Sequence, residues 1–192
     1  MFRSVQSVAP PTDALLKRKN KKKIILDVDS TEDPAHGHQE HMAYNGHFGK
    51  NCFHPLFCFT SDGDGLATKL RPGNVHSATG TLELIKPLVD RYRKKFRLFW
   101  LRGDSAFADP DIYDFCESKR VTYFIRLRSN AVLARQIKPY LNRPVGRPPR
   151  SGIQVKYVDM KYQAKSWDTP RRVIAKIEWH VGELFPRYYF IV

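Results

Sequence analysis

Cysteine is scarce in this sequence. Cys52, Cys58 and Cys116 are the only three in 192 residues. They are too few and too scattered for a disulfide framework and lack the paired close spacing of a zinc ribbon, so they read as buried thiols. Long apolar runs are also missing. None approaches the roughly 20 residues of a membrane-spanning helix, and the opening MFRSVQSVAPPTDALLKRK has no apolar signal core. The expectation is a cytoplasmic protein with no membrane partner. Acidic residues are under-represented: 19 Asp and Glu stand against 33 Lys and Arg, giving a net charge of +14 and a pI near 9.8. That imbalance points to a polyanion, with nucleic acid ahead of an anionic lipid surface. The length is that of one ordinary domain, enough for a real core.

What the sequence does have is concentrated first in IILDVDSTED, residues 24–33. Ile24, Ile25, Leu26 and Val28 make a short apolar run rich in β-branched residues, the pattern of a buried strand. Asp27 and Asp29 are two apart, so their carboxylates point to the same face of that strand. A carboxylate at the end of a buried strand is costly unless paired, and a cation is the usual partner. The alternative is that the two residues cap the following loop, Ser30-Thr31-Glu32-Asp33. A second junction has the same form: the apolar FRLFWL, residues 96–101, runs into Arg102-Gly103-Asp104-Ser105.

Around these junctions the chain alternates. Residues 1–23 form a basic, irregular segment with Pro10-Pro11 and a run containing Lys21, Lys22 and Lys23, read either as a solvated tail or as phosphate contacts. Residues 34–49 are a polar loop with His36, His38, His41 and His47. Without thiolates or a familiar ligand spacing, these read as loop histidines near an acidic or phosphate-binding site rather than a zinc centre. Residues 52–60 read as a strand in which Pro55 suggests a bulge or an edge position, 61–65 as a tight turn, and 66–71 as the return strand. A helix is expected over 77–94, kinked or delayed by Pro87. Asp109-Pro110 starts another to 119, and Ser129 or Asn130 caps a third to about 141. Between the last two lies VTYFIRL, 121–127, a buried strand. A meander followed by alternating strands and helices predicts an α/β fold with a mixed sheet flanked by helices. The core is expected over 24–142. Residues 143–152 read as a Pro/Arg-rich linker containing Arg147 and Arg150. They resemble the AT-hook, with Val145 where that motif has Arg. From 153 to 192 the alternation is that of antiparallel strands, with Trp167 at a turn, and the chain ends on RYYFIV as though cut.

If the strands bearing Asp29 and Asp104 lie side by side, their carboxylates repel unless a cation sits between them. Hard carboxylate oxygens suit Mg²⁺ or Mn²⁺. Two such ions, roughly 3.5–4 Å apart, would serve phosphodiester chemistry, with basic residues on the DNA backbone. Arg71, Arg102, Arg126 and Arg128 flank strand ends near that place and read as phosphate contacts or as solvated surface. Trp100 reads as core.

LDVDSTEDP followed by HGHQ, then LRPGN, then RGDSAFA resembles the bacterial insertion-sequence transposases of the DDE class, in the branch called transposase DDE domain group 1. The resemblance runs from about Ile24 to Val192. It implies a ribonuclease H-like core, with Asp29 of Asp-Ser-Thr and Asp104 of RGDSAF as catalytic and metal-binding carboxylates, two divalent ions in the complete site, and a β-rich insertion after the second Asp. It implies double-stranded DNA as partner, both transposon terminal inverted repeats and target DNA, a homodimer as the working complex, and action at the nucleoid. The role of Asp27 stays open. The third acid of such a set is a Glu on a helix after the insertion. The helix from 130 to 141 has no acidic residue, and Asp159, Asp168, Glu178 and Glu183 fall in strands or turns. The expectation is therefore a fragment with two of three carboxylates, one that binds metal weakly and is inactive by itself, within a family of DNA-cleaving and strand-joining enzymes. Its rivals are a ribonuclease H-like nuclease of repair or recombination and a non-catalytic DNA-binding remnant.

Overall fold

The computed structural model describes residues 6–8, for backbone only, together with 22–143 and 152–192. The chain divides into two compact units, residues 1–124 and 125–192.

The first unit is built on the strand Lys23–Ser30. Within it Ile24, Leu26 and Val28 are buried while Asp29 is exposed, so the apolar run has one buried face and a polar end. Numbered along the chain, the strands of this unit are Gln6–Val8 (β1), Lys23–Ser30 (β2), Asp33–Pro34 (β3), Ala43–Asn45 (β4), Lys50–Phe53 (β5), Leu56–Thr60 (β6), Gly65–Lys69 (β7) and Leu98–Gly103 (β8). The main sheet runs β1-β7-β6-β2-β8. β2 lies antiparallel to β6 and parallel to β8, which makes the sheet mixed. A parallel pair needs a crossover connection, and here two helices flank β8 in sequence: Thr81–Tyr92 (α1) before it and Pro110–Ser118 (α2) after it. α1 buries Leu84, Ile85, Leu88, Val89 and Tyr92, and α2 buries Ile112, Tyr113, Phe115 and Cys116. Each fully buried aliphatic side chain of this kind contributes about 1.5–3 kcal/mol. Pro87 is accommodated inside α1, which begins only at Thr81, after Gly80 in a left-handed conformation.

Two features of this unit differ from the sequence reading. Residues 1–23, expected to be irregular, supply β1, which is added to the sheet edge by pairing with β7. The expected strand 52–60 is two strands in two sheets. β5 joins β3 and β4 in a small antiparallel sheet, and β6 enters the main one. The break falls at His54-Pro55, where Pro55 has no N–H to give a ladder and the His54 N–H donates to the Arg71 carbonyl. The small sheet was hidden because its strands are two to four residues long and lack alternation.

The second unit is a four-stranded antiparallel sheet. It takes its first strand from Thr122–Leu127 (β9), within which the boundary between the units falls, and continues with Ile153–Tyr162 (β10), Arg171–His180 (β11) and Arg187–Ile191 (β12). β12 lies between β9 and β11, and β10 pairs with β11 over its whole length. The short helix Ala131–Ile137 (α3) is capped by Asn130, whose side chain accepts from the Val132 and Leu133 N–H groups. Leu133 and Ile137 of α3 and Val173, Ala175, Ile177 and Phe190 of the sheet are buried. Trp167 is buried too, edge-on to Tyr162 with the Arg171 guanidinium over its ring, so it is a packing aromatic at the hairpin end.

The three thiols are free and buried. Burial pushes Cys58 well above the ordinary thiol range and Cys116 up to about 12, leaving both as inert core groups. Among the described residues no helix is long and apolar enough to cross a membrane.

Candidate active site

The site is laid out by the pairing of β2 with β8. Register partners run Ile24↔Phe99, Ile25↔Trp100, Leu26↔Leu101 and Asp27↔Arg102. At the last rung Asp27 and Arg102 form a two-pronged ion pair, Arg102 Nε donating to Asp27 Oδ1 and Nη2 to Oδ2, each at 2.5 Å. The hydrogen bonds raise the Arg102 pKa further above its ordinary value. Asp29 stands two residues beyond Asp27, and Asp104 two beyond Arg102. The strand ends are held close between them: a Cβ placed on Gly103 would lie 3.2 Å from Val28 Cγ2 and 3.1 Å from Phe107 Cβ. Glycine lets β8 run this near to β2 and to the turn that follows without displacing either side chain.

Each terminal carboxylate is oriented by one local hydrogen bond. Asp29 Oδ1 accepts from the Ser30 N–H at 2.8 Å. Asp104 Oδ1 accepts from the Ala106 N–H at 2.9 Å, capping the single 3-10 turn Ser105–Phe107. Among the described residues no hydrogen bond reaches Oδ2 of either residue, and both residues are exposed. Two hard oxygen donors, turned by their own loops and with one oxygen each unspent, fit a divalent cation of the Mg²⁺ type, which is commonly held by one or two carboxylates with water and substrate phosphates. Among the described residues, no group of three or more His, Cys, Asp or Glu is placed to hold a metal. This includes the loop histidines His36, His38, His41 and His47.

The basic residues expected at the DNA backbone fall in different places. Lys21, Arg147 and Arg150 lie outside the described residues. Lys22 and Lys23 are exposed at the start of β2, with the Lys23 ammonium 4.6 Å from the centre of the half-buried Trp100 ring. Arg102 is engaged by Asp27. Arg126 and Arg128 are exposed in the second unit. Arg71 overturns its expectation. It is 2% exposed, and its guanidinium gathers backbone carbonyls: Nε donates to His54, and Nη1 to Ser77, Thr79 and His76. A cation in a Pro-Gly-Asn segment is recruited inward because the loop 72–80 has carbonyls with no strand to pair with. Burial pulls its pKa down to about 10, still charged at neutral pH. Beside it, the His54 Nδ1 lies 3.1 Å from the Val75 carbonyl, and burial, with Arg71 close by, pulls the His54 pKa below its ordinary value. The Asp27–Arg102 pair was missed in the sequence. The signal was there in the equal two-residue offset of each from its terminal Asp.

The fold and the strand ends together define a mixed α/β domain that presents a carboxylate at the end of each of two adjacent parallel strands. The profile of the family described as transposase DDE domain group 1 matches residues 10–192, and the chain belongs to that family. DDE transposases are enzymes that cut and join DNA. No curated protein matches. Among solved structures the chain is similar to one of a piggyBac transposase synaptic complex with hairpin DNA, at 15% identity and a TM-score of 0.44 over 87% of this chain. The chain spans 32% of that protein's length.

Proposed function

We propose that the chain is the DNA-cleaving and strand-joining domain of a transposase, in which Asp29 and Asp104 supply two of the carboxylates that hold divalent cations at the scissile phosphodiester. The observation that carries this reading is the matched pair of strand ends: each Asp stands two residues past the Asp27↔Arg102 rung, with one carboxylate oxygen unspent. When bound there, Mg²⁺ or Mn²⁺ would neutralise phosphate charge and make water a better nucleophile near neutral pH. The protein's own part is to fix the two carboxylates before DNA arrives. Asp27 and Arg102 lock the strands in register, Gly103 permits their approach, and the backbone N–H groups of Ser30 and Ala106 set the rotations of the two side chains. Lys22 and Lys23, exposed at the entry to β2, meet the DNA backbone. The working complex is a homodimer acting on terminal inverted repeats and target DNA, as in the family.

Calorimetric titration of Mn²⁺ tests the reading. Wild-type chain should give heats that the double variant Asp29→Asn, Asp104→Asn loses, with unchanged thermal stability because both side chains are exposed. Equal heats in the two proteins would overturn the assignment. A second reading, a DNA-binding remnant without catalysis, is favoured by the lack of a third acidic partner among the described residues. It predicts DNA binding with no Mn²⁺-dependent nicking of supercoiled plasmid.

A further inference from the structure

The sheet of the second unit has two faces, one of them buried through Val158, Val173, Ala175, Ile177 and Phe190. The other carries a row of side chains crossing all four strands. Tyr157 of β10 is the register partner of Lys176 of β11, which is in turn the partner of Tyr189 of β12. Beyond Tyr189 on β9 comes Arg126, its guanidinium 4.6 Å from the centre of the Tyr189 ring. Tyr157 is 65% exposed, an unusual position for so large an aromatic ring. Strands lie about 4.8 Å apart, so the two tyrosines stand roughly 10 Å apart with Lys176 between them. Around the row the face holds Lys161, Arg172 and Arg187 against Asp159 and Glu178, an excess of cations in a chain of net charge +14. Arg172 is paired with Asp159, and Lys176 with Glu178, at 2.7 and 2.5 Å, and Arg187 with Glu183. Among the described residues no carboxylate pairs with Arg126 or Lys161.

Tyrosine is a good strand former and stabilises cross-strand neighbours, so one exposed Tyr would need no explanation. Two rings on one rung, separated by an ammonium and flanked by a stacked guanidinium, form a different object. Aromatic faces interleaved with cations on an open sheet suit a strand of nucleic acid whose bases are unpaired. Every base offers a π-face to the rings, while the cations meet its phosphates. Duplex DNA keeps its bases stacked within itself and can offer only phosphates to such a surface.

We propose that this face, centred on Tyr157, Lys176, Tyr189 and Arg126, binds single-stranded DNA by stacking unpaired bases on the two tyrosines. The proposal deepens the DNA reading above but does not depend on Asp29 or Asp104, so it is tested in EDTA, where those carboxylates have no metal. Fluorescence anisotropy of a labelled oligothymidylate and of a duplex of equal length is measured with the full chain and its variants. Stacking on an aromatic side chain is worth about 1–3 kcal/mol per base. The double variant Tyr157→Ala, Tyr189→Ala should therefore weaken single-strand binding at least tenfold. Duplex binding should change less than twofold. Tyr157→Phe with Tyr189→Phe keeps the rings and should restore single-strand affinity, which also separates stacking from any loss of fold. Equal losses on single strand and duplex would overturn the proposal, as would no loss in the double Ala variant. So would a change of oligomeric state by light scattering with single-strand affinity intact, since that would assign the strip along β10 to a second copy of the chain. Single-strand affinity in EDTA should be unchanged in the Asp29→Asn, Asp104→Asn variant, and its loss there would overturn the placement of binding on this face.

Discussion

Asp27 and Arg102, 75 positions apart in sequence, face each other on adjacent parallel strands and join through two hydrogen bonds of 2.5 Å. The pair sits one step behind Asp29 and Asp104. Its Asp side chain is 26% exposed and its Arg side chain 49% exposed, so solvent screens much of the Coulomb energy. What it contributes is register. A planar guanidinium gripping a carboxylate with two prongs tolerates little sliding of β2 against β8.

Replacing Arg102 with Ala should lower stability by only about 1 kcal/mol in urea unfolding, in line with a half-exposed pair. Mn²⁺ heats should fall further than that loss of stability explains. Arg102→Lys keeps the charge without the fork and should restore stability more than Mn²⁺ binding.

Gly103→Ala should act in the same direction. Its new methyl would sit 3.1–3.2 Å from Phe107 and Val28 side chains, which can give by a few tenths of an ångström. Folding should survive, with a shifted Asp104 and weakened Mn²⁺ heats. Gly73→Ala should be the harsher change. There the methyl would meet the carbonyls of Ala43 and Cys52 at 2.4 Å, both backbone, so the small sheet must move. Circular dichroism melts of the two variants should separate them clearly.

Removing Arg71 should be a stability lesion and not a DNA-binding one. Arg71→Met leaves the carbonyls of His54, Ser77 and Thr79 without their donor, at a cost on the order of 3 kcal/mol. Arg71→Lys should rescue little, because one ammonium cannot span acceptors fixed around a fork. Filter binding of duplex DNA below the melting temperature should show wild-type affinity; a large loss there with unchanged melting would refute the structural role.

His54 should make the first unit sensitive to mild acid. Burial above all, aided by the charges of Arg71 and His76 and opposed by the Val75 carbonyl, holds its folded pKa below 6.5. The unfolded chain then binds a proton that the folded chain resists. Stability is complete above about pH 6.5 and declines as pH falls beneath it. His54→Gln keeps a donor toward the Val75 carbonyl and should flatten the decline of stability below about pH 6.5. An unchanged slope in that window would show that another group is responsible.

Much of the fold was legible because its signals are local. Apolar alternation marks β11, whose Val173, Ala175, Ile177 and Trp179 are buried, and side-chain caps mark the starts of α2 and α3 at Asp109 and Asn130. The small sheet of β3, β4 and β5 was not legible, since strands this short leave no period to read. Arg71 and Arg102 were misplaced for a related reason. In sequence an Arg near a strand end looks the same whether it meets phosphate, a carboxylate or a cluster of carbonyls.

The sequence by itself determined that Asp29 and Asp104 stand at the ends of two strands, because a short apolar run followed by Asp is a property of neighbouring residues. It also determined the cationic balance that points to a polyanion. The tertiary structure decided which cations are spent inside the protein: Arg102 on Asp27, and Arg71 on the carbonyls of His54, His76, Ser77 and Thr79. It alone set Tyr157, Lys176, Tyr189 and Arg126 in one row. A side chain's partner is fixed by the register of segments distant along the chain, and that register is the outcome of packing the whole sheet.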